Sequence, residues 1–215
     1  MNLHGRYVQL LDYVDESPWR ELIAGHGFWR ETASFERAQV DHAYFTLMKY
    51  NVMIHESSDA NPLSKFGAAV PREFSDLAQT RHLCMQWAQV HTTLFGPGHL
   101  AKLGLFVFPP GSASHYHVDG NVFRAGQVVD LADPKEWDII AFNQAARRTI
   151  LPLQVNAEDE FLIMGRKIRI TPGLFFEFSN GLPHAFFNRG NEHTVLLVSS
   201  YIADADRYKP HLADL

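Results

Sequence analysis

The chain has 215 residues, 46% hydrophobic and 20% charged, which is enough apolar material for one well-packed core and excludes intrinsic disorder. Nineteen basic against 24 acidic residues give a formal net charge of −5 with no Lys/Arg run, so the footprint of a nucleic-acid binder is missing and a small molecule is the expected partner. The single cysteine, Cys84, excludes a disulfide framework and any Cys-rich metal site.

The opening stretch MNLHGRYVQLLDYVDESPW has neither a basic n-region nor an apolar h-region, and no later apolar run approaches bilayer length. A cytoplasmic protein without a membrane partner is expected. Ser17-Pro18 reads as a helix N-cap followed by proline at the first helical position, with Trp19, Leu22, Ile23 and Phe28 at roughly helical intervals. YFTLMKYNVMIHESSDANPL fits a helix turning into strand, and its pattern alone does not decide. Phe74, Leu77, Ala78, Cys84, Trp87, Ala88 and Leu94 form a second helical stripe that Gly96-Pro97-Gly98 stops. Residues 1–98 therefore read as a mostly helical segment.

From Leu103 the texture changes to short apolar or alternating runs broken by Gly, Pro, Asn and Asp. LGLFVF, NVFRAGQVV, EWDIIAF, TILPLQV, EFLIM, KIRI, LFFEF, HAFFN and TVLLVSSY are nine such runs, as antiparallel barrels and sandwiches require. Residues 99–215 are expected to form a β-barrel core, with the helical segment 1–98 packed on it as one structural domain. Phe106, Phe108, Phe175, Phe186 and Phe187 read as barrel core.

Chemistry concentrates in FPPGSASHYHVDGNVF and FSNGLPHAFFN. In an extended strand alternate side chains point the same way, so His117 and Asp119 would present an imidazole and a carboxylate to one side. His184, at a turn leading into another β-run, is the candidate for a third ligand. Two His and one carboxylate on one face of a metal leave the other face open, the arrangement of non-haem Fe(II) enzymes that activate oxygen. Lys135, Arg148 and Arg189 are the cations near the right strands to hold an acid in a shielded pocket. Asn188 would orient His184, touch a bound acid or simply hold a turn. His115 is a pocket residue or, in an HxH pattern, a further ligand.

The run GLFFEFSNGLPHAFFN resembles the second cupin motif, with Gly173, Gly181, His184 and Asn188 in register and Ser179 where Pro is usual. More narrowly, the segment with HxD, then Gln127, then DPKEWDII, then TPGLFFEFSNGLPHAFFNRGNEHTVLLVSSY resembles the cupin-like, Jumonji C-type branch of the Fe(II)/2-oxoglutarate oxygenases. It is similar over a shorter stretch to the aspartyl/asparaginyl and amino-acid hydroxylases. The resemblance covers residues 101–201 and implies a mainly β, double-stranded β-helix (cupin or jelly-roll) barrel. It implies Fe(II), 2-oxoglutarate as cosubstrate and O2, with His117, Asp119 and His184 as catalytic iron ligands. It also implies hydroxylation, or another oxidation, of a C–H bond in a small molecule such as an amino acid, peptide or natural-product intermediate. Lys135 falls close to where that branch places the lysine that pairs with the distal carboxylate of 2-oxoglutarate, and Arg148 and Asn188 are the further cosubstrate candidates. The basic anchor of the hydroxylase branch, about ten residues after the last ligand, is replaced here by His193-Thr194. A cupin metalloenzyme that does not use 2-oxoglutarate and a non-catalytic ligand-binding barrel are the alternatives.

Overall fold

The computed structural model describes residues 8–24, 37–40, 43–47, 50–56, 78–114, 116–117 and 146–204. The elements in chain order are β1 (Val8–Tyr13), α1 (Ser17–Ala24), β2 (Arg37–Val40), β3 (Ala43–Leu47), β4 (Tyr50–Glu56) and α2 (Ala78–Phe95). The order continues with β5 (Gly98–Phe108), β6 (Ser112–Ala113), β7 (Arg147–Gln154), β8 (Glu160–Ile163), β9 (Arg166–Ile168), β10 (Leu174–Phe178), β11 (His184–Phe187) and β12 (Thr194–Ala203). They form two six-stranded sheets, β1-β10-β7-β12-β5-β4 and β2-β3-β6-β11-β8-β9, antiparallel except where β3 runs parallel to β6. The fold is mainly β, a double-stranded β-helix whose two sheets face each other.

Burial on both faces explains the apolar runs. Every residue of β12 is buried. Val195, Leu197 and Tyr201 join a core layer under the helices with Trp19, Trp87, Leu151 and Phe175. Leu196 and Val198 join a second layer inside the barrel with Phe108, Ile150, Phe161, Phe176, Phe178 and Phe186. A strand buried on both faces loses the alternation of polar and apolar positions and reads as one continuous run.

Seven of the nine expected runs coincide with β5 and β7–β12; NVFRAGQVV and EWDIIAF lie outside the described residues. The first half holds strands beside its helices. Both helices are present, but the same half also supplies β1–β4, which extend each sheet at its edges. YFTLMKYNVMIHE resolves into the two strands β3 and β4. A sheet edge presents unpaired backbone donors and acceptors, and a strand can satisfy them without a strong hydrophobic pattern of its own. β1 shows this: it pairs with β10 while Leu10 and Tyr13 stay exposed.

The buried face of α2 is also shifted from the expected stripe. Leu83, Trp87 and His91 face the first sheet, whereas Leu94 is exposed. His91 is fully buried among the rings of Trp87, Phe95, Phe175 and Tyr201, with the Thr149 hydroxyl 2.8 Å from Nε2. Burial pushes its pKa down from 6.5 to about 4, against the smaller opposing effect of the Trp87 carbonyl. The unfolded chain therefore takes up a proton near pH 6.5 that the folded chain refuses. Stability is expected to be intact above pH 6.5 and to fall by about 1.4 kcal/mol per pH unit as pH drops from 6.5 toward 4. Urea unfolding at pH 7, 6 and 5, for the wild type and for His91→Gln, checks this: the variant should lose most of that slope.

Candidate metal centre

The chain entering the centre turns sharply at Pro109-Pro110-Gly111, where Gly111 takes a φ of 69° that only glycine adopts without strain. It then runs antiparallel to β11. Ser114 N–H donates to Phe186 O at 2.9 Å, and Phe186 N–H donates to Ser114 Oγ at 2.8 Å. His117 and His184 exchange both backbone hydrogen bonds, at 2.9 and 2.8 Å. Directly opposed residues on antiparallel chains point to the same face. The two imidazoles accordingly lie together, ring centroids 4.5 Å apart.

Simple alternation would not put them there. Ala113 pairs with Phe187 and His117 with His184, so the three residues between these pairs on one chain stand against two on the other. One residue is extra, a bulge, and it brings Ser114 and His117, three apart, onto the same cavity wall. Tyr116, beside the bulge, accepts a 2.7 Å hydrogen bond at its hydroxyl from Gly165 N–H in the β8–β9 turn.

His184 is 6% exposed, and its ring packs edge-on to Phe178 at 4.9 Å. Its Nδ1 lies 2.8 Å from the Leu182 carbonyl. A carbonyl only accepts, so in the neutral ring Nδ1 holds the proton and Nε2 carries the lone pair, the form in which an imidazole ligates a metal.

The cavity in front of the two His is lined mainly by apolar side chains, including Phe106, Phe108, Phe161 and Phe186; among the described residues its one cation is Arg148. Across the first sheet Phe178, Arg148 and Ser200 are successive register partners on β10, β7 and β12. Ser200 continues the face of Leu196 and Val198, which line the cavity. It is fully buried, and its hydroxyl has no hydrogen-bond partner among the described residues. A buried hydroxyl left open beside a guanidinium suits a carboxylate, and two adjacent imidazoles suit a divalent first-row metal.

The structure thus brings together His117, His184 and Arg148. Asp119, His115, Gln127 and Lys135 lie outside the described residues, and among the described residues no cluster of three metal-type donors occurs. Arg189 is engaged elsewhere, with its Nε 3.0 Å from Glu160, on the strand face opposite to Phe161. Phe175 lies under α2 rather than on the cavity.

Asn188 is buried and engaged within the loops around it. Its amide donates to Phe108 O at 2.8 Å and Glu192 O at 2.7 Å, and its carbonyl oxygen accepts from Gly190 N–H at 3.0 Å and from the Asn156 amide at 3.2 Å. All of its hydrogen-bonding capacity is spent on tying the β11–β12 loop to β5 and the β7–β8 loop. Asn188→Ala is expected to cost about 2 kcal/mol of stability with iron binding retained, read from thermal unfolding beside metal analysis.

Ser200 and Ser114 were not singled out from the sequence. The one signal was the serine pair in TVLLVSSY, polar residues inside an otherwise apolar run.

No protein-family profile and no curated protein matches the sequence. Solved structures do match the fold. An oxidoreductase of the 2OG-Fe(II) oxygenase family from Burkholderia pseudomallei is 13% identical, with a TM-score of 0.56 over 93% of this chain and 87% of that one. A prolyl-4-hydroxylase from Pseudomonas putida is 12% identical, with a TM-score of 0.51 over 93% and 95%. At such identities the likeness is one of fold, and it agrees with the double-stranded β-helix traced above. Among the described residues no helix is long and apolar enough to cross a membrane.

Proposed function

We propose that the chain is an Fe(II)- and 2-oxoglutarate-dependent oxygenase that oxidises a C–H bond of a small molecule such as an amino acid, a peptide or a natural-product intermediate. The observation that carries this reading is the His117–His184 bridge, which brings two imidazoles together on a cavity that Arg148 also lines. His117 and His184 would ligate the iron, with Asp119 as the carboxylate that the HxD spacing supplies. When bound, Fe(II) and 2-oxoglutarate supply the oxidising chemistry: O2 is consumed, 2-oxoglutarate becomes succinate and CO2, and one oxygen atom goes to the substrate.

The chain's own residues then have distinct roles. The Leu182 carbonyl holds the proton of the neutral His184 ring on Nδ1, which leaves the lone pair on Nε2 for the metal. Phe178 and Phe161 pack at the His184 ring and exclude water from its faces. Arg148 and Ser200 receive the distal carboxylate of 2-oxoglutarate, with a charge and one hydrogen bond inside an apolar wall that strengthens both. Lys135 is the rival for that role.

Anaerobic loading with Fe(II), followed by 2-oxoglutarate and air, tests the proposal. One iron per chain and release of succinate in proportion to 2-oxoglutarate consumed are expected, slowly even without the substrate. Iron binding with no affinity for 2-oxoglutarate and no succinate would move the chain to the cupin metalloenzymes that bind substrate directly on the metal.

A further inference from the structure

The interface between α2 and the first sheet is largely apolar, and its polar contacts concentrate at one rung. Thr149 on β7 and Ser199 on β12 are register partners, both fully buried, and each takes a side chain from α2. Trp87 Nε1–H donates to Ser199 Oγ at 2.7 Å. One turn later His91 places Nδ1 2.8 Å from the Trp87 carbonyl and Nε2 2.8 Å from Thr149 Oγ1. The carbonyl claims the proton on Nδ1, so Nε2 accepts from the Thr149 hydroxyl.

The next residues along the same two strands are Arg148 and Ser200, again register partners, and they face the other way: Arg148 lines the cavity, and Ser200 continues the face of Leu196 and Val198. The polar rung under the helix therefore stands directly behind the rung proposed to hold a carboxylate. Apolar contacts are non-directional and let a helix slide on a sheet at little cost; hydrogen bonds are directional and do not. The bonds from Trp87 and His91 both end on this rung, whereas the Thr92–Tyr201 hydroxyl pair, 3.0 Å apart, ties the last turn of the helix to β12.

We infer that α2 is a positioning element of the centre: Trp87 and His91 clamp the Thr149–Ser199 rung and so set where Arg148 and Ser200 meet the ligand's carboxylate. The inference rests on the reading of Arg148 as the carboxylate anchor. None of the four clamp residues touches the ligand; they act through the backbone of β7 and β12.

The test measures equilibrium binding of 2-oxoglutarate to the anaerobic, Fe(II)-loaded full chain, far below the melting temperature, with folding checked by circular dichroism. Thr149→Val removes the hydroxyl at nearly constant shape, and Thr149→Ser restores it. Valine should weaken 2-oxoglutarate binding about 10-fold, equivalent to one well-placed hydrogen bond, with iron affinity unchanged. Serine should return it to within about two-fold of wild type. Ser199→Ala, at the other end of the rung, should move the affinity in the same direction and keeps the test open if the valine variant folds poorly. A lower melting temperature with unchanged 2-oxoglutarate affinity in both Thr149→Val and Ser199→Ala overturns the inference, since the helix would then support stability alone. Unchanged affinity in Arg148→Met overturns the anchor reading beneath it, so the two failures are told apart.

Discussion

Replacing His184 by alanine is expected to eliminate stoichiometric Fe(II) binding while the circular dichroism spectrum stays that of the folded chain. The His117–His184 bridge is made by backbone groups, so it survives loss of either imidazole. What disappears is a buried ring whose proton is already fixed on Nδ1 by Leu182. A facial site with three protein ligands keeps little affinity when one is removed, so His117→Ala and Asp119→Ala should behave alike. His115→Ala should keep its iron, with activity changed by about 10- to 100-fold at most through orientation of its neighbours. Metal analysis after anaerobic dialysis reads all four. One iron per chain in the His184→Ala protein would sink the metal reading, and loss of iron on the His115 change alone would favour the HxH arrangement of the cupin enzymes.

Arg148→Met is expected to weaken 2-oxoglutarate binding by about 10- to 100-fold at unchanged iron occupancy. A hydrogen bond to a charged group contributes about 1.5–3 kcal/mol, and the carboxylate left behind would face an apolar wall of Phe106, Phe161 and Phe178. The methionine keeps the volume and the apolar stem, so the loss reports the charge. Lys135→Met is the comparison. Chain order in the resembled Jumonji-type branch favours Lys135, whereas placement on the cavity wall favours Arg148. Isothermal titration of both variants with 2-oxoglutarate decides between them: a large loss in Lys135→Met with none in Arg148→Met moves the anchor to Lys135.

Strands from residue 98 onward were legible because a barrel strand buried on one or both faces must be apolar at the buried positions, and each turn between strands must hold Gly, Pro, Asn or Asp. LFFEF, HAFFN and TVLLVSSY announce themselves in this way, and β10, β11 and β12 follow them closely. His117 and His184 were legible as candidate donors, the first from the HxD spacing and the second from its place at a turn before a β-run, and the structure sets their rings side by side. β1 and β2 were not legible, and the stretch that holds β3 and β4 could be read only as helix turning into strand; β1 shows why, since it is held by backbone pairing to β10 while Leu10 and Tyr13 stay exposed.

Residue types and their local order thus determined that a barrel would form and which side chains carry metal-type donors. Pairing between distant segments decided the rest. The bulge between Ala113 and His117 turned His117 toward His184, 67 positions away along the chain. Register between β7 and β12 put Ser200 opposite Arg148, and the packing of α2 buried His91 where a surface histidine would otherwise be read. Strand alternation says only that a side chain faces one of two sides; which side is the cavity, and what stands across it, depends on partners that local sequence does not specify.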